Sequence, residues 1–600
     1  MPLWNIIRAW SLVTSLPYTA AQSRAEWDAL NATVNGRLRV NTPLALPCFS
    51  FYNGSPTGAN EESCAAIREN YTRGDFLADH ASGYYYSQGG ICLSDPLDEC
   101  VLDPSPHPAG APAPGASCNQ GGVPSRYIEV RESSDITAAF EFSRITGVPL
   151  AVKNSGHDFM TRSSQKGALM LWVYTLKGMT HHDDFVPQGC EPESGTGRAM
   201  TIATGVSTQE ALVFASAHNS TVIVGYSPDL AISGGWVLGG GHSVLSPVYG
   251  LGVDRVVEFK VVTSDGILRV ANRCQHPDLF WALKGGGGGT FGVVLEATHR
   301  VEPAMPIAVA HITLPTEATV DTSLQWIELM ARESLRWGEE GWGGHVAGLW
   351  MTHMNPLPRM TNLGDGGAAA QKSVQAATDF ALSVGGTSVV EVLPDFLSVW
   401  NKYIATNTGG SLARVLSSRL IPRTLFSDEE GIQRIMGYIR AVQELGFDPR
   451  ALYVPVDTPF VARHSVSRRT NETAGTETSV HPAWYKSLWS LSAGVTIPWN
   501  VTYPARLQNM TTLTKATLLS EQLTGTEGAA YPNEANPFAQ KWRMSWWGEN
   551  FERLLEAKRR YDPDSLLKCW KCVGFEDADI GSDRYRCQGK LQQDIDEALS

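Results

Sequence analysis

Between residues 127 and 303, short apolar runs alternate with amphipathic helical turns. Tyr127-Ile128-Glu129-Val130 reads as a strand. Ser133 or Ser134 is placed to cap a helix carrying Ile136, Ala139, Phe140 and Ile145, which Gly147 ends. Val148 to Val152 is the next strand. A second unit repeats the order. Thr201-Ile202-Ala203 is strand-like, Ser207 caps a helix with Ala211, Leu212, Phe214 and Ala215 that ends near Asn219, and Thr221 to Val224 is strand-like again. Val256 to Val262 and Ile267 to Val270 alternate as a hairpin around Ser264-Asp265-Gly266. Past residue 303, helical stretches (Glu429 to Leu445) mix with apolar strands (Ala308 to Leu314, Ala451 to Val456), as in a second α+β domain. Asn550 to Tyr561 is a charged amphipathic helix that Asp562-Pro563 stops.

Two glycine runs punctuate this pattern. Gly285 to Gly289, followed by Thr290-Phe291-Gly292, contains G-x-G-x-x-G. A dinucleotide turn needs a strand before it and a helix after. Here Asp278 to Leu283 reads as helix and Val293 to Thr298 as strand, so that reading is rejected. What remains is a backbone that passes close to a flat or phosphorylated ligand and offers amides to an anion. The run Ser227 to Ser243, with Gly234-Gly235 and Gly239-Gly240-Gly241-His242, is a second close approach or a series of tight turns. His157 ends an apolar strand at a turn, a poor position for a core histidine and a good one for chemistry on a ligand.

Composition limits the partners. The net charge of −13 argues against a nucleic-acid or anionic-membrane surface. The length of 600 residues implies two or three folding units. Ten Cys crowd toward the two ends, and Asn-x-Ser/Thr sequons occur at Asn31, Asn53, Asn70, Asn219, Asn471, Asn500 and Asn509. With Met1 to Ala21 reading as a weak signal peptide, these features point to a secreted or lumenal protein that forms disulfides. Cys569-x-x-Cys572 lacks a second zinc pair and is expected to bond to the Cys-rich N-terminal region. His181-His182-Asp183-Asp184 cannot all face one ion and reads as a solvated loop. The Pro/Ala/Gly run Asp103 to Ala116 reads as a surface loop.

The segments Lys153-Asn154-Ser155-Gly156-His157-Asp158-Phe159, Ser227 to Ser243 and Gly285 to Gly292, in this order and spacing, resemble the vanillyl-alcohol oxidase superfamily of flavoproteins. They look closest to the fungal berberine-bridge-enzyme-like oxidases. The tail Tyr531-Pro532-Asn533-Glu534, Trp546-Trp547-Gly548-Glu549-Asn550-Phe551 and Lys558 to Pro563 is similar to that family's C-terminal segment.

The resemblance implies an α+β fold: a two-subdomain FAD-binding module of the PCMH type and an α+β substrate domain, with the C-terminal segment returning to the FAD domain. Its divisions are a signal peptide at 1–21, a Cys-rich region at 22–122, the FAD module at 123–303, the substrate domain at 304–525 and the berberine-bridge-like segment at 526–580. It implies FAD bonded through its 8α carbon to His157, with contacts from Lys153, Asn154, Ser155, Gly156, Asp158, Phe159, Gly234, Gly239, Gly240, Gly241, His242, Gly292 and Asn533. Bicovalent relatives carry a Cys in the second glycine segment. Ser227 to Ser243 has none, so one link is expected.

The expected reaction is hydride transfer from a small-molecule C–H to flavin N5, with O2 as acceptor, in secondary metabolism. The expected protein is a monomer without metal, membrane or nucleic-acid partners. Relatives place a catalytic Tyr where this chain has Glu534, which leaves Glu534 and Tyr531 as candidates for the proton acceptor. Glu534 also reads as a solvated carboxylate or a partner of Lys541 and Arg543. Two other readings are a secreted carbohydrate oxidase and a non-catalytic flavin-binding or storage glycoprotein.

Overall fold

The computed structural model describes residues 23–105, 112, 115–356, 367–405, 409–461 and 477–600. The signal-peptide reading, the sequon at Asn471 and part of the run Asp103 to Ala116 fall outside them.

Three sheets organise the α+β fold. The first is four-stranded, in the order Leu38–Val40, Arg126–Glu129, Leu169–Trp172, Leu150–Lys153, with the last three strands parallel. Parallel strands need a crossover. The helix Ser133–Thr146 supplies it and buries Ile136, Ala139 and Phe140 against this sheet. Gly147 ends the helix in a left-handed conformation, φ 73°. The helix starts a residue earlier than its serines suggest. Glu132 is the N-cap, in a reciprocal box with Asp135; Asp135 also binds Arg37 and so ties the cap to the chain's start.

The second sheet is antiparallel, in the order Leu268–Asn272, Val256–Val262, Val293–Arg300, Ala199–Ala203, Met179–His182. Its helix Thr208–Ala217 is capped by Ser207 with Glu210 as reciprocal partner. The strand expected over Thr221 to Val224 contracts to Ser220–Thr221, paired with Glu302–Pro303. Val222 to Val224 are buried without strand pairing, so their apolar character serves the core. His181 and His182 lie on a strand, not in a loop. They bond Ser220 and Thr201, on different neighbours, as side chains on opposite strand faces do.

The third sheet has seven antiparallel strands, in the order Thr387–Leu393, Ile307–Thr313, Trp350–Asn355, Gly343–Ala347, Tyr453–Val456, Ser487–Ile497, Ala413–Pro422. The helices Val320–Glu340, Glu429–Glu444 and Tyr503–Thr524 pack beside it, and Trp326 and Trp337 of the first are fully buried. Ser417 bonds Thr517 on the helix side of the strand Ala413–Pro422. By two-residue alternation, Arg414, Leu416 and Ser418 point to the other side.

The N-terminal region forms helices Arg24–Thr33 and Glu61–Asn70. All ten cysteines pair, as Cys48–Cys64, Cys92–Cys587, Cys100–Cys118, Cys190–Cys274 and Cys569–Cys572. The pairing corrects one expectation: Cys569 and Cys572 bond each other, and Cys587 makes the covalent tie to the N-terminal region. The buried Arg506 reinforces that tie through Glu99, 3.0 Å away.

Candidate active site

The strand Leu150–Lys153 delivers the loop Asn154 to Phe159 to the edge of a cavity of about 960 Å³. Gly156 makes the turn possible. Its φ is +89°, and a Cβ there would sit 3.1 Å from the Gly83 carbonyl and 3.2 Å from Tyr84 Cα. The turn puts His157 on the cavity wall with its Nε2 2.5 Å from Asp229 Oδ2. Burial pushes the Asp229 pKa up, but His157 and the Ser227 hydroxyl outweigh it and hold it below the ordinary carboxylate value. The Tyr85 ring stacks on the imidazole, centroids 3.9 Å apart. With Nε2 engaged by a carboxylate, Nδ1 is the ring nitrogen left for other chemistry.

The two glycine runs meet at the cavity floor. Gly287 N–H donates to the Leu238 carbonyl, 2.9 Å. A Cβ on Gly288 would lie 3.1 Å from Gly235 Cα, so neither backbone has room for side chains. Arg162 is half-buried on the same wall. Its Nε and Nη2 donate to the Trp570 and Lys571 carbonyls at 3.0 and 2.8 Å, and desolvation lowers its pKa to about 10. A half-buried cation beside a bare glycine backbone is a donor set for an anionic group. An apolar slot of Leu150, Val152, Val173 and Val293 adjoins it. An elongated ligand with a flat end and a phosphorylated middle fits these walls, as FAD requires.

Three polar side chains of the wall, Tyr226, His242 and Glu534, converge with Asp457. His242 is buried; its Nδ1–H donates to Asp457 and its Nε2 lies 3.2 Å from Glu534 Oε1. The Tyr226 hydroxyl donates to Asp457 Oδ2 at 2.6 Å. Burial disfavours the imidazolium, but the two carboxylates outweigh it and raise the His242 pKa to about 10. His242 is therefore a cation at neutral pH, sandwiched between two acids. Asp457 is fully buried and follows the strand Tyr453–Val456. Glu534 is held by its backbone: its N–H bonds the Tyr531 carbonyl and its carbonyl accepts from Ser418 N–H. Arg543, once a candidate partner, bonds Asp577 instead.

Tyr531 is buried, with its ring edge-on to His242 at 5.0 Å. Burial first, then the Glu534 and Asp457 charges, push its hydroxyl pKa far above its ordinary value. This favours the neutral phenol over the phenolate.

Of the residues singled out from sequence, Asn154, Ser155, Gly156, His157, Asp158, Phe159, Gly234, Gly239, His242, Gly292, Tyr531, Asn533 and Glu534 line the cavity. Asn533 Nδ2 reaches the His157 carbonyl at 3.4 Å, joining the C-terminal segment to the histidine loop. Lys153, Gly240 and Gly241 stand behind the wall. Lys153, on the strand face opposite Asn154, donates to the His80 and Asn154 carbonyls and lies over Tyr84; burial lowers its pKa to about 7. Gly240 and Gly241 pack on Val480 and Trp236. Asp457, Tyr226, Asp229 and Arg162 were not singled out. Asp229 lay inside the second glycine segment, but nothing local marked its partner 72 residues away.

Residues 124–272 match the family model described as FAD binding domain, and residues 530–569 the one described as berberine and berberine like. The FAD-linked oxidoreductase cheF of Chaetomium globosum is 38% identical over 572 residues, covering 94% of this chain and 88% of the relative. The chain belongs to the berberine-bridge-like FAD-linked oxidoreductases. A second member, the FAD-linked oxidoreductase ffsJ of Aspergillus flavipes, is 39% identical over 588 residues, 93% of each chain. Among solved structures, the VAO-type flavoprotein MtVAO615 from Myceliophthora thermophila C1 superposes with a TM-score of 0.78 at 26% identity, over 93% of this chain and 97% of that one. The family membership makes the glycine-lined cavity an FAD site and the chain an enzyme of the oxidoreductase class.

Proposed function

We propose that this FAD-linked oxidoreductase is an oxidase of a small hydroxylated or heterocyclic compound, with Glu534 as the proton acceptor. The carrying observation is the hydrogen-bonded chain Tyr226, Asp457, His242, Glu534 at the cavity wall. Bound FAD would accept a hydride from a substrate C–H bond, and its two electrons and one proton, with the second proton released from Glu534, would reduce O2 to H2O2. The substrate O–H or N–H proton goes to Glu534. His242, held by Asp457, fixes the orientation of the Glu534 carboxylate. Tyr531 shapes the pocket beside them.

His157 would hold FAD by a single covalent bond, with Nδ1 the ring nitrogen that Asp229 leaves open. Arg162 and the glycine backbones would hold its diphosphate. Five disulfides and exposed sequons at Asn53, Asn219 and Asn500 support a secreted glycoprotein. Among the described residues no helix is long and apolar enough to cross a membrane.

Acid precipitation of the purified protein tests the cofactor assignment: yellow colour stays in the pellet if His157 is bonded to flavin. A colourless protein overturns the reading as a flavoenzyme. A peroxide screen across phenols, alkaloids and sugars then separates the proposed oxidase from a carbohydrate oxidase, the second reading that the missing Cys in Ser227 to Ser243 disfavours.

A further inference from the structure

The cavity carries a second charged pole that the oxidation does not use. Arg414 lines the wall on the strand Ala413–Pro422, on the face shared with Leu416 and Ser418. Its side chain is exposed, and its backbone is fixed. Gln88, itself buried, bonds the Arg414 backbone on both sides, accepting from its N–H at 3.0 Å and donating to its carbonyl at 2.5 Å. Gly494, opposite Leu416 on the neighbouring strand, makes room for the Leu416 side chain: a Cβ there would lie 2.8 Å from Leu416 Cδ2, while Arg414 Nε at 3.7 Å is in ordinary contact range.

The other acids of the wall are already engaged. Asp448 pairs with Arg450, Asp158 accepts from Met160 N–H and Ser163, and Glu534 contacts His242. Among the described residues none of these carboxylates pairs with the Arg414 guanidinium.

The two poles share one space. Arg414 and Glu534 line the same cavity, together with the half-buried Tyr86 and Tyr453. Arg414 stands four residues along the strand from Ser418, whose N–H holds the Glu534 carbonyl. Four residues of strand span about 13 Å. Leu416, Trp350, Leu452 and Val495 add apolar surface to the walls.

We infer that the substrate is an elongated, largely apolar molecule with an acidic group, a carboxylate or a comparably acidic enol, which pairs with Arg414 while the carbon to be oxidised sits by Glu534. This rests on the proposed oxidase reading and names its substrate class. Arg suits the task because its planar fork binds carboxylate bidentately and stays charged.

The test uses the purified full-length protein and three probes of one shape: 4-phenylbutyrate, 4-phenylbutanol and 4-phenylbutylamine. Binding is read by calorimetry, which needs no turnover, and by perturbation of the flavin spectrum. The expected result is that phenylbutyrate binds about tenfold or more tighter than the alcohol, that the amine binds weakest, and that the preference shrinks with added salt. Arg414→Gln removes the preference and leaves alcohol binding unchanged; Arg414→Lys keeps part of it. Equal binding of acid and alcohol, or a preference that survives Arg414→Gln, overturns the inference. A colourless protein that still prefers the acid by calorimetry sinks the flavin reading and leaves the anion site standing. A yellow protein without the preference does the reverse.

Discussion

His242 Nε2 lies 3.2 Å from Glu534 Oε1, and the imidazole is a buried cation. A carboxylate against a fixed positive charge is a carboxylate held in place. Only one of its oxygens faces the histidine, which leaves the other for a substrate proton. This relationship supports Glu534 over Tyr531 as the proposed acceptor, because burial raises the Tyr531 hydroxyl pKa well above its ordinary value.

Replacing the acceptor isolates its role. With any substrate that reduces the flavin, Glu534→Gln lowers the anaerobic reduction rate by about 10²–10⁴-fold, the usual contribution of general base catalysis. Tyr531→Phe lowers it far less. Stopped-flow loss of flavin absorbance measures both. Equal losses from the two substitutions contradict the assignment.

The His242 charge makes stability depend on pH. Its folded pKa is about 10, against 6.5 for an ordinary imidazole. The contribution is full below about pH 6.5 and is lost as pH rises through about 10. It amounts to a few kcal/mol in order of magnitude. Wild type is therefore more stable than His242→Gln at pH 7, and the gap narrows toward pH 10. Denaturant melts of both proteins across that range follow it. A gap that widens with pH refutes the buried imidazolium.

His157→Ala releases flavin into the supernatant on acid precipitation, whereas wild type retains it in the pellet. Asp229→Asn slows attachment, because the imidazole loses the carboxylate that orients it and takes up charge. In-gel flavin fluorescence after denaturation, followed during reconstitution with FAD, reports the rate. An Asp229→Asn protein that attaches flavin as fast as wild type removes Asp229 from this role.

The Cys569–Cys572 bond closes the loop whose Trp570 and Lys571 carbonyls hold Arg162. In a His157→Ala background, where no covalent link masks affinity, Cys569→Ser with Cys572→Ser weakens FAD binding by about tenfold, the worth of a charge-assisted hydrogen bond. Quenching of flavin fluorescence in a titration measures it. Unchanged affinity shows that the loop keeps Arg162 in place without its disulfide.

Elements with a local signature were legible. The helix Thr208–Ala217 carries its capping box in four consecutive residues, the hairpin of Val256–Val262 and Leu268–Asn272 turns at Asp265-Gly266, and the helix Asn550–Tyr561 ends at Asp562-Pro563. Failures came where tertiary contact outweighs local preference. Glu132 took the cap expected of Ser133 because Arg37, far along the chain, fixes its partner Asp135. Val222 to Val224 are apolar enough for a strand but have no strand beside them. Cys569 was expected to reach the N-terminal region, but the fold brings Cys572 against it and gives Cys587 that tie.

By itself the sequence determined that this chain has an FAD module. Glycine runs and the Gly156-His157 turn answer backbone demands that a few neighbouring residues express, so they can be read in order along the chain. The tertiary structure alone decided which distant groups meet at the cavity. Asp457 and Glu534 reach His242 from 215 and 292 residues away, and Arg414 belongs to the cavity only because the seven-stranded sheet turns one face of its strand inward. A carboxylate or guanidinium in sequence carries no record of its partner. Burial and charge set its chemistry, and both exist only once distant segments have packed.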